Sequence, residues 1–189
     1  MGISNRVLSK FTYNRIFIET GLGMSAVGLS SALALGFKEI YSIEFYPQII
    51  EMARKKFGDY PQVTLIQGDS GEELAKLLIT IHEPVTFWLD AHFDFTVNYV
   101  KLYPVPLADP LPILKELKAI EAHPIKTHTI LIDDMIMIKK GHPTWPPIKE
   151  ENIRKALLAI NPEYNIYYEI GGTQANRKDD ILVAEKKEE

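Results

Sequence analysis

The sequence predicts an α/β protein built on one doubly wound sheet of seven strands. Five apolar runs, rich in β-branched residues, alternate with helical stretches from residue 15 to residue 160. Several of these runs are almost continuously hydrophobic, which is typical of central parallel strands covered on both faces. After residue 161 two strand-like runs are joined by GTQANRK, which is too short for a crossover helix, so they are expected to pair as an antiparallel hairpin.

Local signals set the expected bounds of each element. Asp69-Ser70-Gly71 precedes two glutamates and indicates a helix start, and Pro47 and Pro147 suit first-turn positions. Five strand–helix units and a closing hairpin predict the strand order 3-2-1-4-5-7-6 with strand 7 antiparallel, an ending that ordinary dinucleotide-binding folds lack. Strands are expected at 15–20, 39–45, 63–68, 85–91 and 127–133, and helices at 24–36, 47–57, 71–81, 110–122 and 147–160.

Composition narrows the class of protein. At 189 residues and 46% hydrophobic content, the chain suits a single domain spanning 1–189. A net charge of −4 argues against nucleic acid as a partner, and the absence of cysteine excludes disulfides, thiolate metal sites and cysteine nucleophiles. Because neither a secretory signal nor a membrane-length apolar run is found, we expect a cytoplasmic protein with no membrane partner.

The strongest functional signal lies between residues 16 and 45. Gly21-Leu22-Gly23-Met24-Ser25-Ala26 satisfies G-x-G-x-x-A between a predicted strand and a helix that opens at Ser25. The glycines allow a tight turn and a close approach of ligand to backbone. Glu44 ends the next strand about twenty residues further on, where an acid can bind a ribose diol. This context predicts a nucleoside site, although the motif alone does not separate NAD from other nucleosides.

Glu19, near the end of the first strand, favours a cationic ligand. A pyrophosphate on the glycine loop would lie close to this carboxylate, and two unit charges about 5 Å apart at an effective dielectric near 20 repel by roughly 3 kcal/mol. The helix N-terminus offers a surface anion only about 0.3–1 kcal/mol in return. S-adenosylmethionine instead carries an ammonium and a sulfonium, which carboxylates attract.

On these residues the chain resembles the class I S-adenosylmethionine-dependent methyltransferases, which are Rossmann-like, over nearly its whole length. Glu19-x-Gly21-x-Gly23 is similar to their first motif, Glu44 to their ribose-binding acid, and Asp69 to the acid that receives the adenine amino group. Asp69 and Ser70 could equally cap a helix, and Phe45 could cover the adenine or simply pack. The cofactor-binding residues implied are Glu19, Gly21, Gly23, Ser25, Glu44, Phe45, Asp69, Ser70 and Asp90.

A second acidic group follows two later strands. Asp90 ends the fourth strand, and Asp133 and Asp134 end the fifth, so all three are expected at one edge of the sheet beside the methyl donor. Three ionised carboxylates there would repel unless one were protonated or a cation bound. Hard oxygen ligands suit Mg²⁺ or a similar divalent ion, which could lower the pKa of a substrate hydroxyl. Asp133 and Asp134 could also merely support the fold.

This pattern resembles the metal-dependent O-methyltransferases of catechol-type and sugar-hydroxyl substrates. Their helix opening is similar to Met24-Ser25-Ala26-Val27, and the resemblance implies Asp90, Asp133 and Asp134 as metal ligands. One departure matters, because Phe93 stands where the catechol-type enzymes carry a lysine. His92, with Asp90, is therefore the candidate catalytic residue, while Asp94 or the metal alone could serve instead and His92 could be purely structural.

Specificity for the acceptor, expected to be a small molecule, is assigned to three irregular segments. Asp94–Pro110 is the candidate lid, with surface packing as the alternative, and its aromatic residues would also suit a homodimer. The GHPTWPP segment and the hairpin tip at Gln174–Arg177 are the other two. Two further hypotheses stay open: an NAD-dependent oxidoreductase, and a nucleoside-binding module without chemistry.

Overall fold

The computed structural model describes residues 2–93, 109–169 and 178–186. Its helices are α1 Asn5–Leu8, α2 Val27–Ala34, α3 Pro47–Phe57, α4 Ser70–Leu78, α5 Ile113–Ala122, α6 Met135–Lys140 and α7 Glu150–Ile160, with a 3-10 turn at Ser9–Phe11. Its strands are β1 Ile16–Thr20, β2 Glu39–Glu44, β3 Val63–Gln67, β4 Val85–Leu89, β5 Thr129–Ile132, β6 Tyr164–Glu169 and β7 Ile181–Lys186. Among these residues no helix is both long and apolar enough to cross a bilayer.

The seven strands form one sheet in the order β3-β2-β1-β4-β5-β7-β6. The strands from β1 to β5 pair in parallel, and β7 runs antiparallel to both β5 and β6. The predicted topology and the terminal hairpin are therefore confirmed. The register aligns Thr20 with Ile43 and with Leu89, so the residues that follow β1, β2 and β4 emerge at one edge.

Both faces of the central strands are buried, as their continuous hydrophobicity indicates. In β4, Phe87 and Leu89 pack on one face with the inner sides of α5 and α7. Trp88 points to the other face, where α2 and α3 pack with Phe17. This two-sided core fixes the carboxyl edge on which the candidate site is built.

Several helix bounds differ from the expectation. The helix expected from residue 24 begins at Val27, because Ala26 adopts a left-handed conformation with φ of 47°. The helix expected from residue 147 begins at Glu150, so Pro147 precedes it, whereas Pro47 does lie in the first turn of α3. Helix α6 was not expected at all. The candidate lid up to residue 108 and the hairpin tip at Gln174–Arg177 lie outside the described residues.

Candidate functional site

Two adjoining cavities lie at the carboxyl edge of β1, β2 and β4. Their volumes are about 340 Å³ and 60 Å³. Four residues line both cavities: Gly21, Glu44, Tyr46 and His92. Together they reach the size range of small-molecule sites, roughly 300–1,000 Å³. Their position, where parallel strands end, is also where doubly wound sheets bind ligands.

The glycine loop forms the floor of the larger cavity, and Ser25 lies in its wall. Gly21 has φ of +80°, and a Cβ on it would lie 2.4 Å from the carbonyl oxygen of Asp90. Gly23 also has a positive φ, but a Cβ there would meet open space. Only glycine therefore lets the loop pass this close to the end of β4.

Glu44 lies in the wall that the two cavities share. One of its carboxylate oxygens accepts a hydrogen bond from the Gly23 N–H at 3.1 Å, and the other accepts one from the Tyr46 N–H at 2.9 Å. The residue is 6% exposed, and burial raises its pKa despite these two bonds. The carboxylate is thus held rigidly at the end of β2, where the sequence predicts a ribose-binding acid.

Glu19 is placed differently from the other predicted cofactor residues. It is 1% exposed and lines neither cavity; its carboxylate accepts a hydrogen bond from the Ser42 hydroxyl at 2.7 Å and lies under α2 beside Gly28. Burial raises the pKa of Glu19 to about 8, with the charge of Glu44 adding to the effect. At pH 7 the group is mostly protonated, so the charge argument against a pyrophosphate cannot rest on it.

Three other predicted residues do meet, at the smaller cavity. Phe45, Asp69 and Ser70 all line it. Asp69 also caps α4, since its Oδ1 accepts a hydrogen bond from the Gly71 N–H at 2.8 Å. Capping and a place in the cavity wall coexist at this residue.

Asp90, His92 and Asp134 converge beside the larger cavity. His92 Nε2 lies 2.8 Å from Asp134 Oδ2 and 3.6 Å from Asp90 Oδ1, and one atom of each residue falls within 4.8 Å of the others. The Asp90 side chain is 8% exposed, and its Oδ1 is buried without a hydrogen-bond partner. Burial, and next the charge of Asp133, raise its pKa well above the usual value. Since an orphaned carboxylate oxygen faces these two groups, the residues fit a divalent cation.

Asp133 is also part of a second acidic group. Its carboxylate lies with those of Asp134 and Asp180, and burial followed by the Asp134 charge raises its pKa to about 8. Among the described residues, Asp90, Asp133 and Asp134 line one small cavity together with His92, but their carboxylate atoms do not all come within 4.8 Å of one another. Asp134 itself has φ of 57°, a strained conformation that recurs at functional sites.

Some residues of the site carried no signal in the sequence. Asp180, just before β7, and Tyr46, in the cavity wall, are two of them. Trp145 belongs to the GHPTWPP segment that the sequence assigns to acceptor specificity, and it packs behind the site. Its ring centroid lies 4.9 Å from that of His92, and its Nε1–H donates to the Phe93 carbonyl at 2.8 Å. Glu116 is also buried near the site, and burial raises its pKa to about 7.

No protein-family model matches the sequence, and no curated protein matches it. Several solved structures are similar to the chain. A methyltransferase of Podospora anserina with SAH bound is 15% identical, and the match covers 97% of this chain and 76% of that one at a TM-score of 0.58. An O-methyltransferase from Bacillus cereus in complex with SAH is 16% identical, with 97% and 79% covered and a TM-score of 0.60. An rRNA methylase from Streptococcus thermophilus is 12% identical, with 90% and 86% covered and a TM-score of 0.55.

The similarities to the first two structures cover 97% of this chain. The chain has the Rossmann-like fold of the class I S-adenosylmethionine-dependent methyltransferases.

Proposed function

We propose that the protein is an S-adenosylmethionine-dependent methyltransferase that methylates a hydroxyl oxygen of a small molecule with the help of a divalent ion. The observation that carries the proposal is the position of Glu44. Its carboxylate stands between two cavities at the end of β2, and the cluster of Asp90, His92 and Asp134 lies next to the larger one.

In the proposed binding mode the donor spans both cavities. The adenine is directed to the smaller cavity against Phe45, and its amino group donates to Asp69; both residues line that cavity. The ribose hydroxyls donate to Glu44, whose oxygens each retain a free lone pair after accepting one backbone bond. The methionine part extends along Gly23 and Ser25 into the larger cavity. Structural neighbours crystallised with SAH support this ligand.

The acceptor then lies beside Asp90 and His92, at the end of the larger cavity. Asp90 and Asp134 would hold a divalent ion, which when bound lowers the pKa of a coordinated hydroxyl. The chain's own contribution is alignment, because methyl transfer needs the acceptor oxygen, the methyl carbon and the sulfur in line.

The competing hypotheses gain no support. A dinucleotide enzyme no longer conflicts with Glu19, but the antiparallel β7 is absent from the ordinary dinucleotide-binding order. A module without chemistry would have no need for the buried Oδ1 of Asp90, which has no hydrogen-bond partner and lies 3.6 Å from His92 Nε2. An RNA acceptor, as the name of one structural neighbour would suggest, fits poorly with a net charge of −4.

Calorimetry with SAH tests the donor. Binding to the wild type is expected, with NAD giving no heat under the same conditions. Glu44→Ala should weaken SAH by tenfold or more, because two ribose hydrogen bonds are lost. Glu39→Ala is the matched control, since Glu39 starts the same strand outside both cavities. Binding of NAD but not of SAH would reject the proposal.

Turnover tests the chemistry. SAH release is followed with catechols and free sugars as acceptors, in the presence and absence of a chelator. Asp134→Ala and the chelator should both abolish transfer while SAH binding persists. Full activity in either condition would remove the ion from the proposed mechanism.

A further inference from the structure

We infer that the ion site is a mixed nitrogen and oxygen site, with His92 as a direct ligand, and that it selects a first-row transition ion such as Co²⁺ or Mn²⁺ over Mg²⁺. The sequence alone predicts three carboxylates, which would suit Mg²⁺. The inference rests on the divalent-ion part of the proposed function and is independent of the methyl donor.

The distances match a common coordination sphere. Adjacent ligands of an octahedral ion with bonds of about 2.1 Å lie roughly 3.0 Å apart. His92 Nε2 lies 2.8 Å from Asp134 Oδ2 and 3.6 Å from Asp90 Oδ1, and the ligand atoms of all three residues fall within 4.8 Å of one another, which is the spacing that ligands of one ion require. Among the described residues, the group of ligand atoms within 4.8 Å of one another that includes Asp90 also contains His92 and Asp134, so the third place falls to His92.

One observation beyond the acidic grouping points to a ligand there. Asp90 Oδ1 is buried without a hydrogen-bond partner, although its side chain is more than nine-tenths buried, and it faces His92. A buried carboxylate oxygen without a partner is costly unless a bound group satisfies it. The His92 ring is also held in place, because it packs against Trp145, which in turn is anchored to the Phe93 carbonyl.

Ligand chemistry then selects the metal. Carboxylates alone suit Mg²⁺ and Ca²⁺, whereas an imidazole nitrogen suits first-row transition ions. For a given nitrogen and oxygen site the affinity rises from Mn²⁺ to Co²⁺. Because Nε2 would bind the ion, it cannot also accept the acceptor's proton, so His92 acts as a ligand and not as a general base.

The test uses metal-stripped protein titrated with CoCl₂, MnCl₂ and MgCl₂ in a calorimeter. Co²⁺ is expected to bind at least tenfold more tightly than Mg²⁺, with Mn²⁺ between them. Fluorescence gives a second readout, because Co²⁺ at this site should quench Trp145, and Trp145→Phe should remove most of that quenching. Equal or tighter binding of Mg²⁺ would overturn the inference.

Substitutions at His92 separate ligation from folding. His92→Gln should weaken Co²⁺ by tenfold or more and Mg²⁺ by much less. His92→Asp should invert the preference towards Mg²⁺, a gain that a misfolded variant cannot give. His142→Gln is the control, because His142 contacts the same Trp145 ring outside the cluster and should leave both affinities unchanged. If His92→Gln leaves Co²⁺ affinity intact, His92 is only hydrogen-bonded to Asp134 and the inference fails.

The outcome is distinguishable from a failure of the proposed function. SAH binding without the expected metal preference would overturn this inference and leave the donor assignment intact. The expected metal preference without SAH binding would support the inference and reject the methyltransferase.

Discussion

Gly21 and Gly23 both have a positive φ, but only Gly21 is also confined by backbone atoms. Gly23→Ala should therefore cost about 1–2 kcal/mol of unfolding free energy, the usual penalty for a left-handed L-residue. Gly21→Ala adds a clash with the Asp90 carbonyl, 2.4 Å from the new Cβ, and should cost about 2–5 kcal/mol in total.

Urea denaturation monitored by circular dichroism compares the two variants. Gly23→Ala serves as the control for the loss of glycine itself, so the difference between them isolates the close approach of the loop to β4. Equal destabilisation would mean that the loop can move away from Asp90.

Gly28, within α2, touches the buried Glu19. A Cβ on Gly28 would lie 2.1 Å from Glu19 Oε2, and the carboxyl group cannot easily withdraw because Ser42 holds it. Gly28→Ala should therefore destabilise the wild type by about 1–3 kcal/mol. In a Glu19→Ala background the same substitution should stabilise by up to about 1 kcal/mol, because alanine has the higher helix propensity. A double-mutant cycle in urea measures both values, and the same sign in both backgrounds would contradict the packing described here.

Between elements, two buried histidines join the end of α5 to the starts of β4 and β5. The Val85 N–H donates to His128 Nδ1 at 3.1 Å, so His128 carries its proton on Nε2 and donates to His123 Nδ1 at 3.0 Å. His123 Nε2–H in turn donates to the Ile81 carbonyl at 3.0 Å. The chain of bonds requires both rings to be neutral.

Burial, with His123 and Lys126 nearby, lowers the pKa of His128 to about 3. Because the unfolded chain binds this proton near pH 6.5 and the folded one does not, stability falls as the pH drops below that value. From about pH 7.5 to about pH 5.5 the loss should be about 1.4 kcal/mol. His128→Asn should remove this contribution to the pH dependence while His82→Asn, at an exposed position, should not. Urea denaturation at both pH values measures the change in unfolding free energy. If His128→Asn loses as much unfolding free energy between the two pH values as the wild type does, the prediction is wrong.

The strands could be predicted from the sequence more accurately than the helix starts. The central strands are apolar on both faces, and with the edge strand β3 all five parallel strands lie within two residues of their predicted bounds. The starts of α2 and α6 depend on left-handed residues, Ala26 and Asp134, whose conformation is imposed by the packed loop. Helix α6 is also short and lacks a helical repeat, so MIMIKK offers no periodic signal.

At the scale of the whole molecule, topology explains which site residues could be predicted. Residues just after parallel strands must meet at one edge, which is why Glu44, Asp69 and Asp90 line the cavities. The topology does not predict which residues pack against a side chain on its own face of the sheet. Glu19 shares its face of β1 with Phe17 and is therefore covered by α2, and only the packed structure shows that this cover buries its carboxyl group.

The two tryptophans of the chain report on opposite faces of the sheet, Trp88 on the α2 side and Trp145 on the α7 side. Because β4 contributes side chains to both faces, loss of either layer should expose the other, so a single domain is expected to unfold in one step.

Two variants test this expectation, because Trp145→Phe leaves Trp88 as the fluorescent reporter and Trp88→Phe leaves Trp145. In each variant the fluorescence midpoint in urea should coincide with that of far-ultraviolet circular dichroism, even though the two variants differ in stability. SAH at a hundredfold excess over its Kd should raise the unfolding free energy by about 2.7 kcal/mol, and both the fluorescence and the circular dichroism midpoints should shift by the corresponding amount. Fluorescence that changes before the circular dichroism in only one variant would show that the two faces unfold separately and that the chain is not one cooperative domain.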